Sequence, residues 1–295
     1  MTKSYKNKTV VDGVSLHVKR GEIYGCVGPN GAGKSTIMKM LLNLIPADSG
    51  EIYLFGEKLT DRSYECLKRM GSIIENPYFY DRMSARQNLE MYCDYMGYHN
   101  RERIGEVLEE VSLHHAENKP VSQFSLGMKQ RLAIARTILT KPELLILDEP
   151  INALDPEGIR EMRRLFQRLS REQGVTIFIS SHILLEVEQI ADSIGILSGG
   201  KLQKEVSMEE IHGYLSEYLE IKVDDVDKAA ALLEQSGRIV SMKVLRENRI
   251  QIFDAELSAK ELAELLVRHG VGLEELMQKQ GTLEEYFFHL TEEAK

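Results

Sequence analysis

Gly28-Pro29-Asn30-Gly31-Ala32-Gly33-Lys34-Ser35-Thr36 satisfies the pattern G-x-x-x-x-G-K-[ST] at every fixed position. Each fixed residue has a physical task. Glycines let backbone N–H groups turn inward around a phosphate, Lys34 supplies a compact positive charge, and the Ser35 hydroxyl is a suitable ligand for Mg²⁺. The flanks agree. Glu22-Ile23-Tyr24-Gly25-Cys26-Val27 reads as a buried strand and Ile37-Met38-Lys39-Met40-Leu41-Leu42 as a helix. Strand, loop and helix in that order aim a helix N-terminus at an anion, so the stretch predicts a nucleotide site on an α/β sheet.

Composition limits what can surround that loop. With 295 residues and 43% hydrophobic content, the length suggests about two domains with a substantial core. No apolar run approaches the roughly 18 residues needed to span a bilayer. The start of the chain is polar and basic, with no apolar segment of a signal peptide behind it. A net charge of −9 disfavours broad binding to nucleic acid or to an anionic membrane. Cys26, Cys66 and Cys93 are far apart and in no metal spacing, as buried thiols in a reducing compartment would be.

Upstream of the loop, residues 9 to 20 alternate apolar Val14, Leu16 and Val18 with polar Ser15, His17 and Lys19, which predicts a half-exposed strand. Downstream, the pattern predicts a strand over 51 to 55, a helix over 61 to 70 and a short buried strand from Gly71, followed by a loop that Pro77 keeps from being helical. Helices are expected at about 84 to 97 and 101 to 112. Ser125 opens another helix, which Pro142 ends. The run Leu144-Leu145-Ile146-Leu147 then delivers Asp148-Glu149-Pro150 at its carboxyl end, where open parallel sheets place their ligands. After a helix over 156 to 173, Val175-Thr176-Ile177-Phe178-Ile179-Ser180-Ser181-His182 repeats that design with a polar tip. A strand over 194 to 197, a Gly199-Gly200 turn and a strand over 201 to 206 form a hairpin.

Beyond Ser207 the texture changes. Ser207 with Glu210, Ser258 with Glu261 and Thr282 with Glu285 have capping-box spacing and mark helix starts. Strand-like pieces lie between them, near 217 to 223, 239 to 245, 248 to 253 and 271 to 277. The expectation is a small α+β domain without site chemistry, since His269 and His289 are isolated.

A P-loop and an acidic strand end are common to GTPases, kinases and ATPases. The stretch Phe124-Ser125-Leu126-Gly127-Met128 distinguishes among them, because it occupies the place of the L-S-G-G-Q signature. Here the chain resembles the ATP-binding subunits of ABC transporters, over residues 1 to about 210 and in the family's motif order. Asn152-Ala153-Leu154-Asp155 matches the D-loop, His182 the switch histidine, and Tyr5 the aromatic residue on which adenine stacks. The resemblance implies an ABC-type P-loop fold: a mainly parallel core sheet, an antiparallel β subdomain, a helical subdomain over about 76 to 140, and the C-terminal α+β domain. Domains are expected over 1 to 214 and 215 to 295. It also implies that two subunits, identical chains preferred, meet head to tail with ATP between them. ATP would contact Tyr5, residues 28 to 36 and Asp155, with Ser125 and Gly127 facing the partner's nucleotide. Ser35, Asp148 and Glu75 would hold Mg²⁺, Glu149 would activate water, and His182 would help hold that water in line.

Departures from the family pattern narrow the group. Glu75 stands where most members have the Q-loop glutamine; a carboxylate can ligate Mg²⁺ but cannot donate a hydrogen bond at neutral pH. Glu75, Leu126 and a tail ending in Leu283-Glu284-Glu285-Tyr286-Phe287 are similar to the bacitracin-resistance and lantibiotic-immunity transporters. Members usually have another strand before the aromatic residue, whereas Tyr5 stands almost at the start: the edge strand is missing or the chain starts late. The resemblance implies an ATPase held at the cytoplasmic face of the membrane by integral-membrane permease subunits, with residues 76 to 83 receiving a permease helix, and implies no nucleic-acid partner. The alternative, a soluble ABC ATPase of DNA repair or translation, lacks the long coiled-coil insertion and second cassette it would need. No N-K-x-D guanine-reading stretch occurs.

Overall fold

The computed structural model describes residues 1–280 apart from Asn7, Asn76, Ala153, Leu215, Ser216 and Glu256. The chain divides into two compact units, Met1–Met208 and a second that begins at Glu209. The first opens with an antiparallel hairpin, β1 (Lys3–Tyr5) and β2 (Lys8–Val11), followed by β3 (Ile23–Val27), the P-loop and α1 (Lys34–Leu41). A second hairpin, β4 (Tyr53–Leu54) and β5 (Glu57–Lys58), leads through α2 (Tyr64–Lys68) to β6 (Met70–Ile73). The helices α3 (Ala85–Met96), α4 (Arg103–Glu110) and α5 (Leu126–Ile138) come next. The unit is completed by β7 (Leu144–Asp148), α6 (Pro156–Gln173), β8 (Thr176–Ser181), α7 (Leu184–Glu188), β9 (Ser193–Ser198) and β10 (Lys201–Ser207).

Six of these strands form one sheet in the order β10-β9-β3-β8-β7-β6, parallel throughout except β10 against β9. Both β3 and β8 are buried along their whole length, because the sheet is covered on both faces. Ile23, Leu145, Leu147, Ile177 and Ile179 face the core of α3, α4, α5 and α6, whereas Tyr24, Cys26, Ile146 and Phe178 face that of α1. Tyr24 and Phe178 stack with ring centroids 5.3 Å apart. The long α6 follows its sequence signals: the Asp155 carboxylate accepts from Gly158 N at 3.1 Å, Pro156 fills the first turn and Gly174 closes the helix at φ 69°.

Several elements are shorter than their patterns predict. The strand expected over residues 9 to 20 ends at Val11, and the next stretch, though alternating, forms no ladder with another strand among the described residues. Instead His17 N donates to Glu205 at 2.9 Å and Lys19 N to Glu22 at 2.5 Å. This segment and the β4–β5 hairpin line a cavity of about 700 Å³ with Leu16, Val18, Ile52, Leu54, Leu144 and Phe178 on its walls. The cavity lies at the amino-terminal end of β7, opposite Asp148. The strand expected over 51 to 55 reduces to Tyr53–Leu54, and the helix expected over 61 to 70 to Tyr64–Lys68. Tyr5, placed by its motif ahead of the first strand, ends β1.

Starting with α8 (Met208–Tyr214), where the division falls, the remaining elements are β11 (Glu217–Val223), α9 (Val226–Gln235), β12 (Ile239–Leu245), β13 (Arg249–Ala255), α10 (Ala259–Arg268) and β14 (Leu273–Gln280). Their antiparallel sheet has the order β12-β13-β11-β14, the ferredoxin-like β-α-β-β-α-β arrangement. Leu219, Ile221, Val223, Ile250 and Ile252 pack against Ala229, Leu233, Leu262 and Leu266 of the two helices. The sequence pattern did not single out α9, whose Asp225 cap accepts from Lys228 N at 3.0 Å. The helix start at Thr282 and Glu285, the tail residues 283 to 287 and His289 lie outside the described residues. Among the described residues, no helix is long and apolar enough to cross a membrane.

Candidate nucleotide site

The P-loop leaves β3 beneath a close-packed ceiling. Gly33 has φ 104°, and a Cβ there would come within 2.8 Å of the Val10 carbonyl oxygen. Only glycine accommodates both conditions. This approach sets the β1–β2 hairpin, and with it the exposed Tyr5, against the loop. No side chain caps α1, and no acid sits in its first turn, so the N–H groups around Ser35 and Thr36 keep the polarity that receives an anion. Lys34 is buried, and its Nζ donates to the Gly28 and Pro29 carbonyls at 2.7 and 3.2 Å. Below the loop, burial pushes the Cys26 thiol up to about 12, which keeps it neutral.

Carboxylates follow the carboxyl ends of β7 and β6, in the sheet whose β3 leads into the loop. Asp148 pairs with Ser180 across β7 and β8, and the fully buried Ser180 hydroxyl donates to Asp148 Oδ1 at 2.5 Å. The same Ser180 oxygen accepts from Glu149 N at 3.0 Å. Glu149 sits at φ 46°, and both its carboxylate oxygens are engaged: Oε1 is 3.0 Å from His182 Nδ1, and Oε2 accepts from Asn152 Nδ2 at 2.5 Å. Glu75, two residues past the end of β6 at φ 61°, accepts instead from Lys39 Nζ at 2.6 Å. The Lys39 ammonium holds the Glu75 carboxyl below the usual carboxylate range, and Glu75 in turn raises Lys39.

Thus Asp148, Glu149 and His182 converge, whereas Glu75 is tied to α1 and Ser125 is on a different element. Ser125 caps α5, accepting from Met128 N at 3.2 Å. Beside it, Leu126 is 62% exposed and Gly127 lies in the helix's first turn. The buried Gln130 ties this helix to the acidic strand end by donating to the Pro150 carbonyl at 2.9 Å. Asp155 caps α6, and Ala153 lies outside the described residues. Three contributors escaped sequence reasoning: Ser180, Asn152 as a partner of Glu149, and Lys39. For Ser180 the polar tip of its strand was a usable signal; for Lys39 there was none.

The donor chemistry fits Mg²⁺. Ser35 and Asp148 offer hard oxygens, and among the described residues no three His, Cys, Asp or Glu side chains form a metal-binding group of their own. A hydroxyl and a carboxylate are the oxygen donors that suit an ion which keeps several waters and is otherwise bound by substrate phosphates.

The ABC transporter family profile matches residues 11–152. The chain is 51% identical over 290 residues to the uncharacterized ABC transporter ATP-binding protein YcbN of Bacillus subtilis (strain 168), covering 98% of this chain and 94% of that one. It is 45% identical over 290 residues to the bacitracin transport ATP-binding protein BcrA of Bacillus licheniformis, covering 98% and 95%. It is also 45% identical over 202 residues to the lantibiotic transport ATP-binding protein SrtF of Streptococcus pyogenes, covering 68% and 86%. Among solved structures, the dimeric ATP-binding cassette MJ0796, in a post-hydrolysis state bound to ADP and Pi, matches with a TM-score of 0.63 and 25% identity over 70% of this chain and 95% of that one. With relatives this similar along almost its whole length, the chain belongs to the ATP-binding proteins of ABC transporters, in the group of the bacitracin and lantibiotic transport proteins.

Proposed function

We propose that this chain binds ATP with Mg²⁺ and hydrolyses it to drive a separate integral-membrane permease, which exports a peptide antibiotic or a similar compound. The observation that carries the hydrolytic half is the Glu149 carboxylate held between His182 and Asn152. So placed, Glu149 is the group that orients the attacking water and takes its proton, and His182 helps hold that water in line with the γ-phosphate. Residues 28 to 36 wrap the phosphates, Lys34 exchanging its carbonyl partners for phosphate oxygens, and Tyr5 stacks on adenine. Ser35, Asp148 (through water) and Glu75 would hold Mg²⁺. When bound, the ion neutralises charge on the β- and γ-phosphate oxygens.

Ser125 and Gly127 present a helix N-terminus outward on a different element from the P-loop. This supports a head-to-tail dimer, identical chains preferred, in which they complete the partner's site beside Asp155. Export rests on the bacitracin and lantibiotic relatives and on Glu75 and Leu126. The permease surface is assigned to residues 76 to 83, of which Asn76 lies outside the described residues. Tyr78 and Tyr80 are exposed there while Asn88 pins the backbone, accepting from Tyr80 N at 2.8 Å. Such a dimer works at the cytoplasmic face of the membrane through its permease.

Affinity purification from detergent-solubilised membranes tests this reading. A stoichiometric multi-span partner is expected; its absence, with the ATPase intact, overturns the transport assignment. Glu75→Gln should retain ATPase activity and alter the transport obtained per ATP.

A further inference from the structure

Glu75 and Glu149 leave neighbouring parallel strands at the same level. Ile73, the last residue of β6, pairs with Leu147 of β7, and each acid lies two residues further on, both with φ in the left-handed region. Asp148 immediately precedes Glu149, so carboxylates crowd an end of the sheet assigned to a polyphosphate of the same sign. Of the two lysines that α1 brings there, Lys34 is occupied by the loop's own carbonyls. The other is Lys39, in the last turn of α1, where a cation is favoured by the helix dipole. Its side chain is half-buried, whereas the Glu75 carboxylate that it meets at 2.6 Å is largely exposed. The lysine is the anchored member of the pair. Nothing but that ammonium binds the Glu75 side chain among the described residues.

We propose that Lys39 is a positioning residue for Glu75: it holds that carboxylate against α1 and competes with the divalent cation for it. The inference rests on the assignment of Glu75 to the metal side of the site. A carboxylate has one charge to offer two cations, so the metal must displace Lys39 to gain Glu75 as a ligand. A glutamine at position 75 is neutral and would leave Lys39 without this role. Lys39 therefore acts through Glu75, and its effect should disappear with the acid.

The test is equilibrium binding of a fluorescent ATP analogue to the full-length chain, titrated with Mg²⁺, in a double-mutant cycle. Lys39→Met should lower the half-saturating Mg²⁺ concentration by about two- to fivefold, the scale of an exposed ion pair. Lys39→Arg, which keeps the charge, should behave as the parent. In a Glu75→Gln background, Lys39→Met should change nothing. An equal shift in both backgrounds would mean that Lys39 acts on the phosphates directly, and would overturn the proposal. If Glu75→Gln alters the Mg²⁺ dependence but Lys39→Met does not, the competition fails while Glu75 keeps its place. If Glu75→Gln leaves that dependence unchanged, the metal-side assignment falls, and this inference with it.

Discussion

Glu149 Oε1 lies 3.0 Å from His182 Nδ1, and this contact joins the ends of two strands that share one hydrogen-bonding serine. An amide in place of the carboxylate keeps the size of the side chain and loses its capacity to take a proton. Glu149→Gln should therefore bind ATP as the parent does, while turnover falls by about 10²- to 10⁴-fold. Phosphate release measured beside nucleotide binding separates the two effects, and an ATP-bound dimer should accumulate in size-exclusion chromatography. Normal steady-state hydrolysis would remove Glu149 from the base role.

His182 and Asn152 each hold one oxygen of that carboxylate, so either truncation frees it to rotate. For His182→Ala and Asn152→Ala the expectation is a kcat lower by about tenfold or more with KM nearly unchanged, the signature of an interaction made in the transition state. Steady-state ATPase assays over a range of ATP concentrations give both constants. A raised KM with kcat intact would assign the residue to ground-state nucleotide binding instead.

What was legible in the sequence follows from how local each signal is. Residues 28 to 36 carry their own backbone requirements, and Gly33 confirms one of them with φ 104°. The apolar run before Asp148 announced a strand buried on both faces, and Asp155, Pro156 and Gly174 bounded α6. What was lost depends on neighbours. Residues 14 to 20 alternate as a strand does, yet a strand exists only when another pairs with it, and the N–H groups of His17 and Lys19 turn to the side chains of Glu205 and Glu22. The pairing of Lys39 with Glu75 spans a helix and a strand end, and no periodicity reports it. Likewise, the place of Ser180 beside Asp148 is a matter of register between β7 and β8, set by three-dimensional pairing.

Ser180 also yields a stability prediction. Its hydroxyl donates to Asp148 and accepts from Glu149 N in a fully buried position. Ser180→Ala leaves both partners short of a hydrogen bond and should cost about 1 to 3 kcal/mol. Denaturant unfolding followed by a probe in the first unit measures this cost. The ATPase rate should fall as well, because Asp148 and the Glu149 N–H lose the hydroxyl that ties them to β8. A variant as stable and as active as the parent would show the serine to be incidental.

The second unit should respond to acid through Glu261. Its carboxylate accepts from Ser258 Oγ and Ser258 N at 2.7 and 2.9 Å, and Arg238 lies 3.3 Å away. The Ser258 hydroxyl, then the Ser258 N–H, then Arg238 hold Glu261 down to about 2 from an ordinary value of 4.5. A carboxyl depressed by folding stabilises the native state above its unfolded pKa, and loses that contribution as pH falls through its folded pKa. The contribution is therefore full at pH 7 and drains away between about pH 4.5 and 2. Ser258→Ala removes both the helix cap and the hydroxyl that depresses the acid; at pH 7 the lost cap should cost α10 about 1 kcal/mol. Unfolding of the second unit, followed at pH 7, 4 and 3, should decline less steeply with acid in the variant than in the parent. Parallel declines would show that the capping box is not what makes this unit sensitive to acid.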